Sequence, residues 1–157
     1  MKPKVYLETT IVSYLTARPS RDAVTNGMIE QTKNWWAQER EGFELIVSDI
    51  VVTEASAGDV SAVTRRLAAL KGLPVVEADA EAKSLATVLL NNMALPPNAV
   101  DDAAHIAVAA VNQMEYMLTW NCRHIANATM RGKIESICRD AGFEPPVICT
   151  PEELVHA

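Results

Sequence analysis

Four residues of this chain carry side chains that could do chemistry together: Glu8, Glu54, Asp102 and Asn121. Each interrupts an apolar stretch, near the end of an expected strand or on the inward side of an expected helix. A carboxylate or amide in such a place is costly unless it is paired or bound to a metal ion. Three carboxylates converging in a partly desolvated crevice repel one another and take up protons unless a cation neutralises them. Hard oxygen donors without clustered His or Cys suit Mg2+ or Mn2+, and Mg2+ typically keeps its waters and binds a few carboxylates plus substrate phosphate. The chemistry implied is phosphodiester hydrolysis by an activated water, with the ion neutralising charge on the leaving oxygen.

The elements that must position these groups are legible as alternating strands and helices. Val5-Tyr6-Leu7 reads as a short buried strand, and Thr9-Thr10 offers a hydroxyl cap to a helix running to Leu15. A helix over about Val24 to Glu39 carries Met28, Thr32, Trp35 and Trp36 at helical spacing. Phe43 to Val47 is a second strand, leading into a helix through Ile50 to Ala55 that Gly58 closes. Ser61 to Lys71 is helical, Leu73 to Val76 a third strand, and Ala80 to Asn91 an amphipathic helix. Leu95-Pro96-Pro97 then breaks the chain before the helix of Asp102. Tyr116 to Thr119 is a fourth strand, Ile134 to Ala141 a helix, and Val147 to Cys149 a fifth strand before a short terminal helix at Pro151 to Leu154. The alternation implies a single three-layer α/β/α domain over residues 1–157, with a mostly parallel sheet of about five strands.

In such a sheet the functional crevice lies beyond the carboxyl ends of the strands. Glu8 follows the first strand and Asn121 the fourth, so both belong at that edge. Glu54 shares a helix face with Ile50 and Val51, and Asp102 one with Ile106 and Ala109, so both point inward. Each also has a plainer reading. Glu8 could be a solvated strand end, and Glu54 a surface residue if the helical phase is off by one. Asp101 and Asp102 lie in a first turn, where the helix dipole favours acids whatever the function. With Asn98 as cap, Asp101 falls at the third helical position and completes a capping-box-like arrangement, which leaves Asp102 as the inward acid. Asn121 could be a turn residue. His105 reads as a packed core histidine rather than a ligand, and Trp35 and Trp36 as packing or a dimer surface. Arg123 and His124, with Arg18 and Arg21, could contact phosphates.

The net charge of −6 counts against a broad basic nucleic-acid surface, but not against a local basic rim around an acidic centre. Cys122, Cys138 and Cys149 are odd in number and contain no C-x-x-C pair, so they read as reduced thiols. No apolar run approaches the roughly 18 residues of a membrane span, and the first residues lead directly into a strand; both point to the cytoplasm.

Taken in order, these segments resemble the PIN-domain ribonucleases, in particular VapC-like toxins of type II toxin–antitoxin pairs. Glu8-Thr9-Thr10 resembles that family's acid-Thr-Ser/Asn motif, and Val52-Thr53-Glu54 its central glutamate. Asp102-Ala103-Ala104-His105-Ile106-Ala107 resembles its Asp-Ala-x-His-x-Ala helix, and Leu118-Thr119-Trp120-Asn121 its strand-Thr-x-Asp motif. The ordered set, spanning almost the whole chain, is what makes the likeness specific. It implies an Mg2+- or Mn2+-dependent endoribonuclease, homodimeric, with RNA as substrate and a small antitoxin protein as partner. Glu8, Glu54 and Asp102 would hold the metal or its water, with Thr9 and Thr119 orienting the carboxylates. Glu8 stands where the family usually has Asp, and Asn121 where Asp is usual, which removes one negative charge. The competing expectation is a catalytically weak or inactive binding or regulatory protein on the same fold. A haloacid-dehalogenase-like phosphatase or a response-regulator receiver would need acids that this chain lacks, and no Walker loop or G-x-G-x-x-G is present.

Overall fold

Five short strands make one sheet in the computed structural model, which describes residues 1–157. They are β1 (Lys4–Leu7), β2 (Glu44–Ser48), β3 (Val75–Val76), β4 (Tyr116–Leu118) and β5 (Val147–Cys149). All neighbours are parallel, in the order β3-β2-β1-β4-β5. Tyr6 of β1 lies opposite Ile46 of β2 on one side and Met117 of β4 on the other. The chain therefore winds outward from β1 through β2 to β3, then crosses back to β4 and β5. That reversal between β1 and β4 is the place where an open parallel sheet leaves a crevice at its carboxyl edge.

The helices are α1 (Thr9–Leu15), α2 (Ala23–Gln38), α3 (Asp49–Ala55), α4 (Val60–Leu70), α5 (Ala80–Asn91), α6 (Val100–Val111) and α7 (Ala128–Asp140). They divide into two packed groups, α1 to α4 and α5 to α7, giving three layers with the sheet. Central strands covered on both faces must be apolar throughout, and Val5, Tyr6 and Leu7 are at most 1% exposed. A cluster of 35 buried apolar residues runs from Val5 to Leu154. Helix α6 lies deepest: Ala103 and every residue from His105 to Ala110 are buried, and the alanines let neighbouring elements approach closely.

Several local expectations are corrected. The cap of α1 is the Glu8 carboxylate, which accepts from the Thr10 backbone N–H; the threonine hydroxyls are engaged elsewhere. Helix α6 begins at Val100 behind Ala99 with no side-chain cap, so Asn98 caps nothing and Asp101 completes no box. Helix α7 starts six residues before Ile134, because Asn127 caps it by accepting from Thr129 N–H. The residues from Pro151 form turns, held by Trp35 Nε1 donating to the Leu154 carbonyl at 2.6 Å. Trp35 is thereby a core residue, while Trp36 is half-buried beneath the Arg40 guanidinium. No helix is long and apolar enough to cross a membrane.

Candidate functional site

Glu8 sits where β1 ends and α1 begins, 5% exposed, and its carboxylate ties two segments together. Its Oε1 accepts from the hydroxyls of Thr10 (2.6 Å) and Thr119 (2.5 Å), and its Oε2 from Thr10 N–H (3.0 Å). Those hydroxyls in turn accept backbone N–H groups from the loop after β4: Thr10 Oγ1 from Trp120 (2.8 Å) and Thr119 Oγ1 from Asn121 (2.9 Å). One buried carboxylate thus fixes both lips of the switch point. Such a charge is tolerable because its oxygens are met by donors.

Glu54 lies in the last turn of α3, its side chain 34% exposed. Its Oε1 accepts from Thr9 Oγ1 at 2.6 Å and lies 2.5 Å from His105 Nε2, while its Oε2 has no protein partner. Burial is the largest single influence on this carboxyl and pushes it up. The hydrogen bonds from His105 and Thr9, with the nearby imidazole, outweigh burial and hold the group below the ordinary carboxylate range. Asp102, in the first turn of α6, is partly exposed and also engaged on both oxygens. Asn121 Nδ2 donates to Oδ1 at 3.0 Å, and His124 Nδ1 lies 2.9 Å from Oδ2. Asn121 Oδ1 accepts from His124 N–H, so the loop after β4 wraps around the Asp102 carboxylate.

The four residues singled out by sequence fall into two hydrogen-bonded clusters, Glu8, Asn121 and Asp102 joined through Thr10 and Thr119, and Glu54 held by Thr9 and His105. Arg123 is exposed in the loop after β4, and Arg18 and Arg21 are exposed on the loop after α1 with no ion pair. A cleft of about 440 Å³ continues from Glu54, lined by Asp49, Thr53, Glu77, Lys83 and Asp101. Asp101, which the sequence assigned to capping, belongs to this wall. A larger hollow of about 670 Å³ lies at the opposite edge of the sheet, around Met114, Tyr116, Phe143 and Val147. Size does not make it the site; the convergent polar groups are at the carboxyl edge.

The donor chemistry fits a hard divalent cation in kind. Glu54 Oε2 is free and Asp102 is reached from solvent. The set is not a closed cage: no three His, Cys, Asp or Glu side chains come together as metal ligands. That is compatible with Mg2+, which relies on one or two carboxylates, waters and substrate phosphate rather than an all-protein cage.

Tyr6 and Ser48 support the site although sequence reasoning assigned them no such role, and Thr10, expected as a cap, holds Glu8 instead. Tyr6 had a signal, since a tyrosine in a fully buried strand must find a partner for its hydroxyl. Its partners are Ser48 Oγ (2.8 Å) and His105 Nδ1 (2.6 Å). His105 is a core residue, 1% exposed, but it is bonded to Glu54 on its other nitrogen.

The chain is a doubly wound parallel α/β/α domain with Glu8 and Asn121 at its β1/β4 switch point. No family model matches the sequence, and no curated protein matches it. Solved structures do. The fold is similar to VapBC2 from Rickettsia felis bound to a DNA fragment from their promoter, with a TM-score of 0.59 and 15% identity over 93% of this chain and 97% of that one. It is similar to a toxin–antitoxin complex from Klebsiella pneumoniae, with a TM-score of 0.57 and 16% identity over 96% and 100% of the two chains. Mycobacterium tuberculosis VapC20, described as a sarcin-ricin loop cleaving toxin, gives a TM-score of 0.58 and 18% identity over 89% and 96%. The chain has the fold of the VapC toxins.

Proposed function

We propose that this protein is an endoribonuclease that uses Mg2+ or Mn2+ to hydrolyse RNA phosphodiester bonds, acting as the toxin of a toxin–antitoxin pair. The observation that carries this reading is the partly open carboxylate edge of Glu54 and Asp102, braced by Glu8, on a fold shared with a toxin described as cleaving the sarcin-ricin loop. A homodimer, a cytoplasmic location and a small antitoxin partner belong to the same reading.

In this mechanism Glu54, through its free Oε2, and Asp102 would hold the cation, while Glu8, held by Thr10 and Thr119, would brace the loop that carries Asn121. When bound, the ion supplies an activated water and neutralises charge developing on the phosphodiester. The protein does the rest by placement. Thr9 and His105 fix the direction of the Glu54 carboxylate, and Thr10 and Thr119 hold Glu8. His124, bonded to Asp102 through Nδ1, keeps Nε2 free of protein partners and able to contact a phosphate oxygen. Arg123, in the loop after β4, offers a second cation.

One observation favours the alternative of a binding or regulatory protein: an amide, not a carboxylate, occupies position 121 and satisfies Asp102 from within the protein. Cleavage of labelled structured RNA by wild type, Glu54→Gln and Asp102→Asn, with Mn2+ and with EDTA, separates the two. Metal-dependent cleavage by wild type, lost in both variants, supports the nuclease. Equal behaviour of all three overturns the proposed site.

A further inference from the structure

A chain of hydrogen bonds, buried up to its last link, leaves α3 at its first turn and returns to it at Glu54. Val51 N–H donates to Ser48 Oγ at 3.3 Å; Ser48 Oγ lies 2.8 Å from Tyr6 Oη, Tyr6 Oη 2.6 Å from His105 Nδ1, and His105 Nε2 2.5 Å from Glu54 Oε1. Ser48, Tyr6 and His105 are at most 1% exposed, so no water substitutes within the Ser48–Tyr6–His105 Nδ1 stretch.

The direction of every proton in this chain follows from counting. An ionised carboxylate only accepts, so His105 Nε2 carries a hydrogen. Ser48 Oγ already accepts from Val51 N–H and its own proton has no acceptor except Tyr6 Oη. Tyr6, whose single hydrogen must then go onward, donates to His105 Nδ1, which is therefore bare. The reverse arrangement, with both imidazole nitrogens protonated, leaves the Ser48 hydroxyl proton without a partner in a dry core, a state that costs free energy. Burial also drives the Tyr6 phenol far above its ordinary value, so it remains a donor.

We infer that Tyr6 and Ser48 are positioning residues that act through His105, holding it as the Nε2–H tautomer so that Glu54 Oε1 is fully occupied and Oε2 alone is presented to the crevice. The inference rests on the ribonuclease reading for its purpose, but not for its geometry. Thr9 supplies the second donor to Oε1, so the carboxylate cannot rotate without losing two bonds. For a metal-holding carboxylate, supporting groups of this kind are worth about 10- to 100-fold in affinity.

The test combines a tautomer measurement with a metal-binding measurement. Imidazole 15N spectra of the full chain, without metal, should show His105 with an unprotonated Nδ1 and a slowly exchanging Nε2 hydrogen. In Mn2+ titration calorimetry, Tyr6→Phe should weaken binding about tenfold although it removes no ligand, and Ser48→Ala by less. His105→Gln, which can still donate to Glu54, should retain more affinity than His105→Leu. In the His105→Leu background, Tyr6→Phe should change nothing further, which a purely structural role for Tyr6 would not predict. Tyr6→Phe that folds and binds Mn2+ within twofold of wild type overturns the inference, as does a protonated Nδ1 in wild type. If wild type neither binds Mn2+ nor cleaves RNA, the ribonuclease reading fails, and the tautomer measurement still decides the wiring.

Discussion

Removing the Glu8 carboxylate should cost the protein more in folding than in any single catalytic contact. In Glu8→Ala, Thr10 N–H, Thr10 Oγ1 and Thr119 Oγ1 lose their shared acceptor. A hydrogen bond to a charged group contributes about 1.5–3 kcal/mol, and an N-cap about 1 kcal/mol. Two offsets reduce the total. The hydroxyls keep their bonds from Trp120 and Asn121, and water entering the vacated space meets some of the donors. A net loss of about 3 kcal/mol follows, which at a urea slope of about 2 kcal/mol per M lowers the unfolding midpoint by about 1.5 M. Glu54→Ala also removes an acceptor from two donors, but at a group one-third exposed, where water replaces it. Its midpoint should fall by about 0.5 M. Urea denaturation followed by circular dichroism, without metal, compares the two directly. A Glu8→Ala midpoint no lower than that of Glu54→Ala would refute the anchoring role. If the ordering holds, lost cleavage in Glu8→Ala reports on folding unless assayed well below its own midpoint.

Asn121→Asp places a second carboxylate where an amide now donates to Asp102 at 3.0 Å. Without metal the variant should be less stable than wild type by about 1 kcal/mol or more, and Mn2+ should raise its melting temperature by more than it raises that of wild type. Equal stability of the two in EDTA would contradict the contact. Burial pushes the thiols of Cys138 up to about 11 and of Cys149 up to about 12, whereas Cys122 is exposed, so Ellman's reagent at pH 8 should titrate one thiol in the native protein and none in native Cys122→Ser. The phenol of Tyr6 is raised on folding, so its contribution to stability is complete below its unfolded value of about 10 and is lost as pH rises above it. Absorbance at 295 nm should show one tyrosine ionising only with alkaline unfolding, a step absent in Tyr6→Phe.

The alternation of strands and helices was legible because parallel strands buried on both faces give short apolar runs, and helices between them keep a 3.6-residue period. Sheet order and the pairing of Glu8 with the loop after β4 were not, since they depend on contacts across more than a hundred residues. The half-buried placement of Glu54 and Asp102 accords with their apolar neighbours at i−4 and i+4. The cap of α1 was misread because Glu is an uncommon cap and two threonines beside it are good ones. Asn98 misled similarly: its type suits a cap, but the turn after Pro96-Pro97 delivers the chain to α6 at Ala99. His105 was legible as core and not as a partner of Glu54, because burial follows from periodicity whereas hydrogen-bond partners follow from the fold.

The bond between Glu8 and Thr119 bridges 111 positions, and the one between Trp120 and Thr10 bridges 110. Strand β1 is made well before its neighbour β4 and the loop that wraps Asp102. Contacts this distant close late in folding. A nascent chain shorter than Asn121 therefore lacks one side of the crevice, and truncated or stalled products are incomplete whatever their concentration. Synthesis itself thus orders the assembly of the site, with the Glu8 anchor complete only once Thr119 has been made.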